Sequence, residues 1–113
     1  MPEIEIGGIK KVALDEDGYL LRYEDWDEDV ARALAKREGL KGLTTDMLDM
    51  LRFMRSYYEK YRFFPIIRAV CKNVHKPKDC ITESFIDPVI SWKVAGLPNL
   101  GEEMDILEFG PPD

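Results

Sequence analysis

The chain is poor in the side chains on which most catalysis depends. Its 113 residues include one histidine, His75, and two cysteines, Cys71 and Cys80. It has no Gly-x-Ser-x-Gly, no phosphate-binding loop and no Gly-x-Gly-x-x-Gly, so hydrolase, nucleotide and dinucleotide chemistry have no motif to rest on. No catalytic set is predicted, no cofactor is implied, and enzymatic activity of the isolated chain is not expected. Two cysteines make no disulfide framework. No run of about 18 apolar residues is present, which excludes a spanning helix. Met1 to Glu5 lack the basic and apolar regions of a secretory signal, and the expectation is a cytoplasmic protein.

What is present fits one domain with a core of its own. Apolar residues make up 45% of the chain and charged residues 34%, as in an ordinary globular protein. The net charge of −6 conceals an asymmetry. Residues 52–78 carry eight bases (Arg52, Arg55, Lys60, Arg62, Arg68, Lys72, Lys76 and Lys78) against the single acid Glu59, about +7 in all. Residues 99–113 carry five acids and no base. A basic segment inside an acidic chain points to a partner or to a compensating surface.

Periodicity and turn signals predict a mainly α fold with a small N-terminal β-hairpin. Glu3–Ile6 and Ile9–Leu14 flank Gly7-Gly8 as a hairpin, and Asp15–Gly18 form a second turn before a short extended piece over Tyr19–Arg22. Asp27 is the predicted N-cap of a first helix stopped by Gly39. Thr44 or Thr45 caps a second helix reaching about Tyr61, apolar round so much of its circumference that it is read as the central element. Pro65 suits the first position of a third helix over Ile66 to about Val74. Asp79 is a candidate cap for a short fourth helix, and Asp87-Pro88 opens a fifth that runs to Ala95 before Gly96 and Pro98 forbid continuation. The expected division is a domain over 1–99 and an acidic C-terminal tail over 100–113.

Cys71, His75, Asp79 and Cys80 are the nearest approach to a metal set, but their spacing matches no zinc signature and the neighbouring lysines repel a cation, so no metal is predicted. The expectation for the cysteines is a buried thiol, with a redox pair or an activated thiolate as alternatives. The basic segment has two readings. Helices two and three outline a helix-turn-helix in which Arg68, Lys72 and Lys76, spaced at four, would face phosphates. Alternatively the segment is a solvated face that docks an acidic protein.

Several stretches carry a resemblance when taken in order. They are Leu14–Leu20 followed by Trp26, then Arg52–Tyr58, Phe64–Arg68 and Lys93-Val94-Ala95-Gly96-Leu97-Pro98. The chain resembles the family of the dissimilatory sulfite reductase gamma subunit and the TusE sulfur carrier (the DsrC/TusE family). The resemblance implies an orthogonal helical bundle with an N-terminal hairpin and a C-terminal arm. In that family a next-to-last cysteine on the arm carries persulfide. In the sulfite reductase branch a second cysteine, just before the Lys-x-Ala-Gly-Leu-Pro element, partners it. Here those positions hold Glu103 and Trp92. Phe85-Ile86-Asp87-Pro88 also departs from the family's longer element. The pair Cys71 and Cys80 resembles one seen in some sulfite-reductase-associated members.

A carboxylate cannot be thiolated, so the resemblance leads to the expectation of a non-catalytic, regulatory member of the family, related to sulfur metabolism and acting on a protein partner or DNA. Arg52, Arg55, Arg68, Lys72, Lys76 and Lys93 are the candidate docking residues. Arg55 also has a structural reading, as partner of a buried carboxylate. The alternatives are a sulfur-transfer or gamma-subunit-like protein using Cys71 and Cys80 as persulfide or redox thiols, and a DNA-binding regulator of helix-turn-helix type. Neither a membrane nor a small-molecule substrate is implied.

Overall fold

The short polar side chains of Asp27, Thr44 and Asp87 fix the starts of three helices in this chain. A computed structural model describes residues 3–8, 10–65, 67–77 and 79–101. Strand β1 (Glu3–Ile6) pairs antiparallel with β2 (Lys10–Ala13), with Ile4 opposite Val12. The chain then doubles back. Asp15 Oδ1 accepts the amides of Asp17 and Tyr19, each at 2.9 Å, and Leu14 and Leu20 form an antiparallel bridge. Leu20 is buried by this turn while the adjacent Leu21 faces solvent, as alternation in extended chain requires.

Helix α1 (Glu28–Arg37) begins where Asp27 accepts the amide of Val30 at 2.9 Å. Its first turn carries Glu28 and Asp29 and its last Lys36 and Arg37, the order that suits the helix dipole. Helix α2 (Thr45–Tyr61) begins on Thr44, which accepts the amide of Met47 at 3.2 Å. Its N-terminal two-thirds form the centre of the core through Met47, Leu48, Met50, Leu51 and Met54. Each such side chain contributes on the order of 1.5–3 kcal/mol by leaving water. The C-terminal third departs from the expectation of a central, largely buried helix. Tyr57 and Tyr58 are half-buried and Tyr61 is exposed, because α2 there outruns the elements packed on it.

Helices α3 (Ile67–Asn73), α4 (Cys80–Phe85) and α5 (Pro88–Val94) complete the bundle among the described residues. α3 packs against α2 and α4, and α5 against α1, α2 and α4. Asp87 caps α5 as the sequence predicts, accepting the amide of Ile90 at 2.9 Å with Pro88 at the first helical position. Asp79 does not cap α4 with its side chain; its backbone is outside the extended conformation that aims a capping oxygen at the following amides. No helix among the described residues is long and apolar enough to cross a membrane.

Candidate functional site

The chain leaves the bundle at the end of α5, and the residues that fix this exit are mutually locked. Trp92 is fully buried. Its ring meets Tyr58 edge-on at 5.6 Å and Phe64 at 4.6 Å between centroids, and its Nε1 donates to the Pro98 carbonyl at 2.7 Å. The indole therefore plugs the core and holds the segment that follows α5. Gly96 turns the chain with φ +70°, and a Cβ there would collide with the Trp26 ring. Trp26 in turn donates from Nε1 to Val94 O at 3.0 Å. Beyond the turn, Asn99 donates to Asp17 Oδ2 at 3.0 Å, tying the exit to the turn after the hairpin.

Arg55 crosses behind this turn. Its Nη1 donates to Ala95 O at 2.8 Å and its Nη2 to Tyr23 O at 2.9 Å. The guanidinium stacks 3.8 Å over the Tyr23 ring and 4.4 Å from the Trp26 ring. Burial lowers its pKa from the ordinary value, opposed by Tyr23 and Glu59. The partner of Arg55 is thus a pair of backbone carbonyls and two aromatic faces, not the buried carboxylate considered from sequence. Lys93 is also drawn inward, 3.5 Å from Glu38 Oε1 and 4.9 Å above the Tyr19 ring, with its side chain only 15% exposed. Arg52 bonds Glu28 and lies 3.8 Å from Asp49. Arg55 and Lys93 therefore serve the fold around the exit rather than an open basic face.

Cys71 of α3 and Cys80 of α4 are joined in a disulfide with Cα atoms 5.7 Å apart. Both are buried, and Cys80 Sγ lies 3.8 Å from Met50 Sδ of α2. The burial expected of these residues is found, but as a cystine and not as free thiols. His75 does not share a helical face with Cys71: α3 stops at Asn73 and His75 sits in the following turn. Among the described residues no three His, Cys, Asp or Glu side chains converge as metal ligands.

The remaining candidate basic residues lie along α3 and just beyond it. Arg68 and Lys72 are exposed on it, and Lys76 follows it and pairs with Asp46 Oδ2 at 2.8 Å. The three-residue stripe inferred for a recognition helix is therefore interrupted after Lys72. With α3 only seven residues long, the helix-turn-helix outline is not kept. Glu103 lies outside the described residues. Trp26 and Tyr23 escaped the sequence reading as parts of the exit, and the only signal for them was the Gly96 turn, which leaves room for a ring.

Comparison with known proteins agrees with this architecture. The family described as DsrC like protein matches residues 6–99. The dissimilatory-type sulfite reductase subunit gamma of Nitratidesulfovibrio vulgaris is 33% identical over 100 residues, covering 87% of this chain and 94% of that protein. The sulfurtransferase TusE homolog of Haemophilus influenzae is 41% identical over 69 residues, 61% of this chain, and the match spans 62% of the relative's length. The crystal structure of the oxidized gamma subunit of the dissimilatory sulfite reductase from Archaeoglobus fulgidus superposes with a TM-score of 0.76 at 36% identity, over 88% of this chain and 97% of that one. With its second strand, its helices and its Gly96 exit turn all inside the matched span, the chain belongs to the DsrC-like family.

Proposed function

We propose that the chain is an accessory protein of sulfur metabolism of the gamma-subunit type, which docks on a protein partner and exchanges sulfur through Cys71 and Cys80. The observation that supports it most is the match along 94% of a sulfite reductase gamma subunit in a chain whose two cysteines already form a reducible pair. Helix-turn-helix DNA recognition has no support in the relatives or in the seven-residue α3.

The chemistry needs the pair reduced by an external dithiol. One cysteine thiolate attacks the outer sulfur of a donor persulfide; the donor's S–S bond breaks and its thiolate leaves. The second cysteine then attacks the cysteine sulfur of the new persulfide, hydrosulfide departs, and the Cys71–Cys80 bond closes. Two thiols are oxidised to a disulfide while the transferred sulfur is reduced to sulfide. A Cys71–Cys80 disulfide is the end state this sequence would leave, and the bond present in the structure is compatible with it. Because Cys71 and Cys80 are buried, α3 and α4 must part for the donor to enter.

A second reading, docking with no sulfur step, is favoured by that same burial and by Trp92 standing where the resemblance places a thiol. Incubation of the reduced chain with glutathione persulfide, followed by intact mass, separates the two. Sulfide release with a loss of two hydrogens in the parent chain, and a gain of one sulfur atom that persists in one of the single variants Cys71→Ala and Cys80→Ala but not in the double variant, support transfer. An unchanged mass in the fully reduced chain leaves docking alone.

A further inference from the structure

Helices α1, α3 and α5 end in the same hydrogen-bonded turn. In each, one residue in the left-handed region donates its amide three residues back, and its successor donates five back. In α1 these bonds are Gly39 to Lys36 at 3.1 Å and Leu40 to Ala35 at 2.9 Å. In α5 they are Gly96 to Lys93 at 3.0 Å and Leu97 to Trp92 at 3.3 Å. In α3 they are His75 to Lys72 at 3.1 Å and Lys76 to Cys71 at 2.9 Å. The left-handed residue is glycine twice, with φ of 88° and 70°, and histidine once, with φ of 58°. An L side chain is strained there where glycine is not, and a strained residue that the fold retains is a pointer to function.

The His75 side chain is exposed and stands between two adjoining concavities. One, of about 370 Å³, is lined among the described residues by Arg68, Lys72, His75 and Lys76, none of them acidic. The other, of about 500 Å³, runs between α2 and the end of α3 and offers Phe53, Ser56 and Val74 together with Asp46, Asp49 and Arg52, Asp46 being the residue that reaches Lys76. Arg68 and Lys72 enter no ion pair among the described residues. The Lys76–Asp46 pair is about half exposed on both sides and so is easily given up.

We propose that this turn is the docking point for an acidic, apolar-anchored segment of a protein partner. Carboxylates of the segment enter the concavity of Arg68, Lys72 and Lys76. An apolar side chain next to them lies against Phe53 and Val74, and the His75 imidazole forms the wall shared by both. The charges argue for this partner over a nucleic acid: Asp46 and Asp49 in the adjoining groove and a net charge of −6 repel a continuous phosphate backbone, whereas a short segment of discrete carboxylates is steered only to the basic turn. The proposal deepens the docking part of the function proposed above and is independent of whether sulfur is transferred.

The test uses the full chain, isotope-labelled for NMR, titrated with a blocked peptide of alternating glutamate and leucine, with its glutamine counterpart and with duplex DNA. The expected result is amide shifts centred on 68–76 for the glutamate peptide, with affinity falling about tenfold or more as salt is raised well past the concentration at which exposed charges are screened. The glutamine peptide should bind at least about tenfold more weakly, as should the double variant Arg68→Glu, Lys72→Glu with an unchanged melting temperature. His75→Gly should melt at the same or a higher temperature yet bind several-fold more weakly.

Shifts spread over Lys10, Lys11 and Arg22, equal binding of the glutamine peptide, or tighter binding of DNA at the same residues would each overturn the proposal. Undiminished binding by His75→Gly would remove the role given to the imidazole. Peptide binding that appears only after Glu102, Glu103, Asp105 and Glu108 are made neutral would assign the turn to the chain's own C-terminal segment instead. The peptide contains no sulfur, so its binding and the mass gain with glutathione persulfide can fail separately.

Discussion

Arg55 and Ala95 lie 40 residues apart in sequence and are joined by a 2.8 Å hydrogen bond from the guanidinium to the helix-end carbonyl. The same guanidinium holds Tyr23 O, so one side chain of α2 ties the turn before α1 to the end of α5. Arg55→Met should leave both carbonyls without this donor and cost about 2–3 kcal/mol in urea-induced unfolding. Arg55→Lys should recover only part of that loss, because an ammonium cannot span two carbonyls as the planar fork does. Equal stability of the arginine and lysine forms would refute the bridging role.

Gly96 combines a positive φ with the closest approach to a neighbouring ring of any glycine in the described chain. Gly96→Ala must accept the left-handed conformation and displace Trp26. The two effects together should cost about 2–4 kcal/mol, measured as a lower denaturation midpoint. Trp26→Ala gives up its own bond to Val94 O but removes the ring, so Gly96→Ala should cost less in the Trp26→Ala background than in the parent. A Gly96→Ala protein as stable as the parent would mean that the Trp26 ring does not hold the turn.

The Cys71–Cys80 bond closes a short loop, with a sequence separation of 9. By chain entropy, a loop of that size stabilises the fold by about 2–3 kcal/mol. Unfolding in the presence of a phosphine reductant should show this loss, and the double variant Cys71→Ala, Cys80→Ala should lose at least as much and be indifferent to the reductant. A midpoint unmoved by reductant would show that the pair contributes nothing to stability.

Tyr19 predicts a pH dependence of known sign. Burial, reinforced by Asp15 and Asp17, raises its phenol from the ordinary value of 10.0 to about 12. Between those values the folded state holds a proton that the unfolded state has released, so stability falls as pH rises through this window. The contribution is complete below pH 10. Tyr19→Phe should flatten the fall between pH 10 and pH 12, and an equally steep fall in that variant would assign it to other groups.

Much of this architecture was legible in the sequence because it rests on local chemistry. Asp27, Thr44 and Asp87 cap the helices they were predicted to cap, and Gly39 and Gly96 stop theirs, since a cap involves only a side chain and amides a few residues away. What was not legible depends on contacts distant in the chain. A helical position does not reveal that Arg55 points at Ala95 O or that Lys93 lies over Tyr19, so two residues read as docking cations are half-buried and already engaged within the fold. Arg62, His75 and Ile86 adopt positive φ without being glycine, and no propensity signals them. The cystine was foreseen only as an alternative to a buried thiol, because it depends on how the end of α3 meets the start of α4, across residues with no fixed geometry of their own.

Trp92 has a consequence for descent. A tryptophan codon and a cysteine codon differ at a single base, so the thiol that the family resemblance places at this position is one of the most accessible mutations the chain can make. It is also among the least acceptable. Exchanging the fully buried indole for a cysteine would empty the space between Tyr58 and Phe64 and release Pro98, a loss on the order of 3–5 kcal/mol against a total stability of about 5–15 kcal/mol. The chain thus sits one nucleotide from a thiol at this position and is kept from it by packing, so Trp92→Cys would be tolerated only if the neighbours of Trp92 changed first.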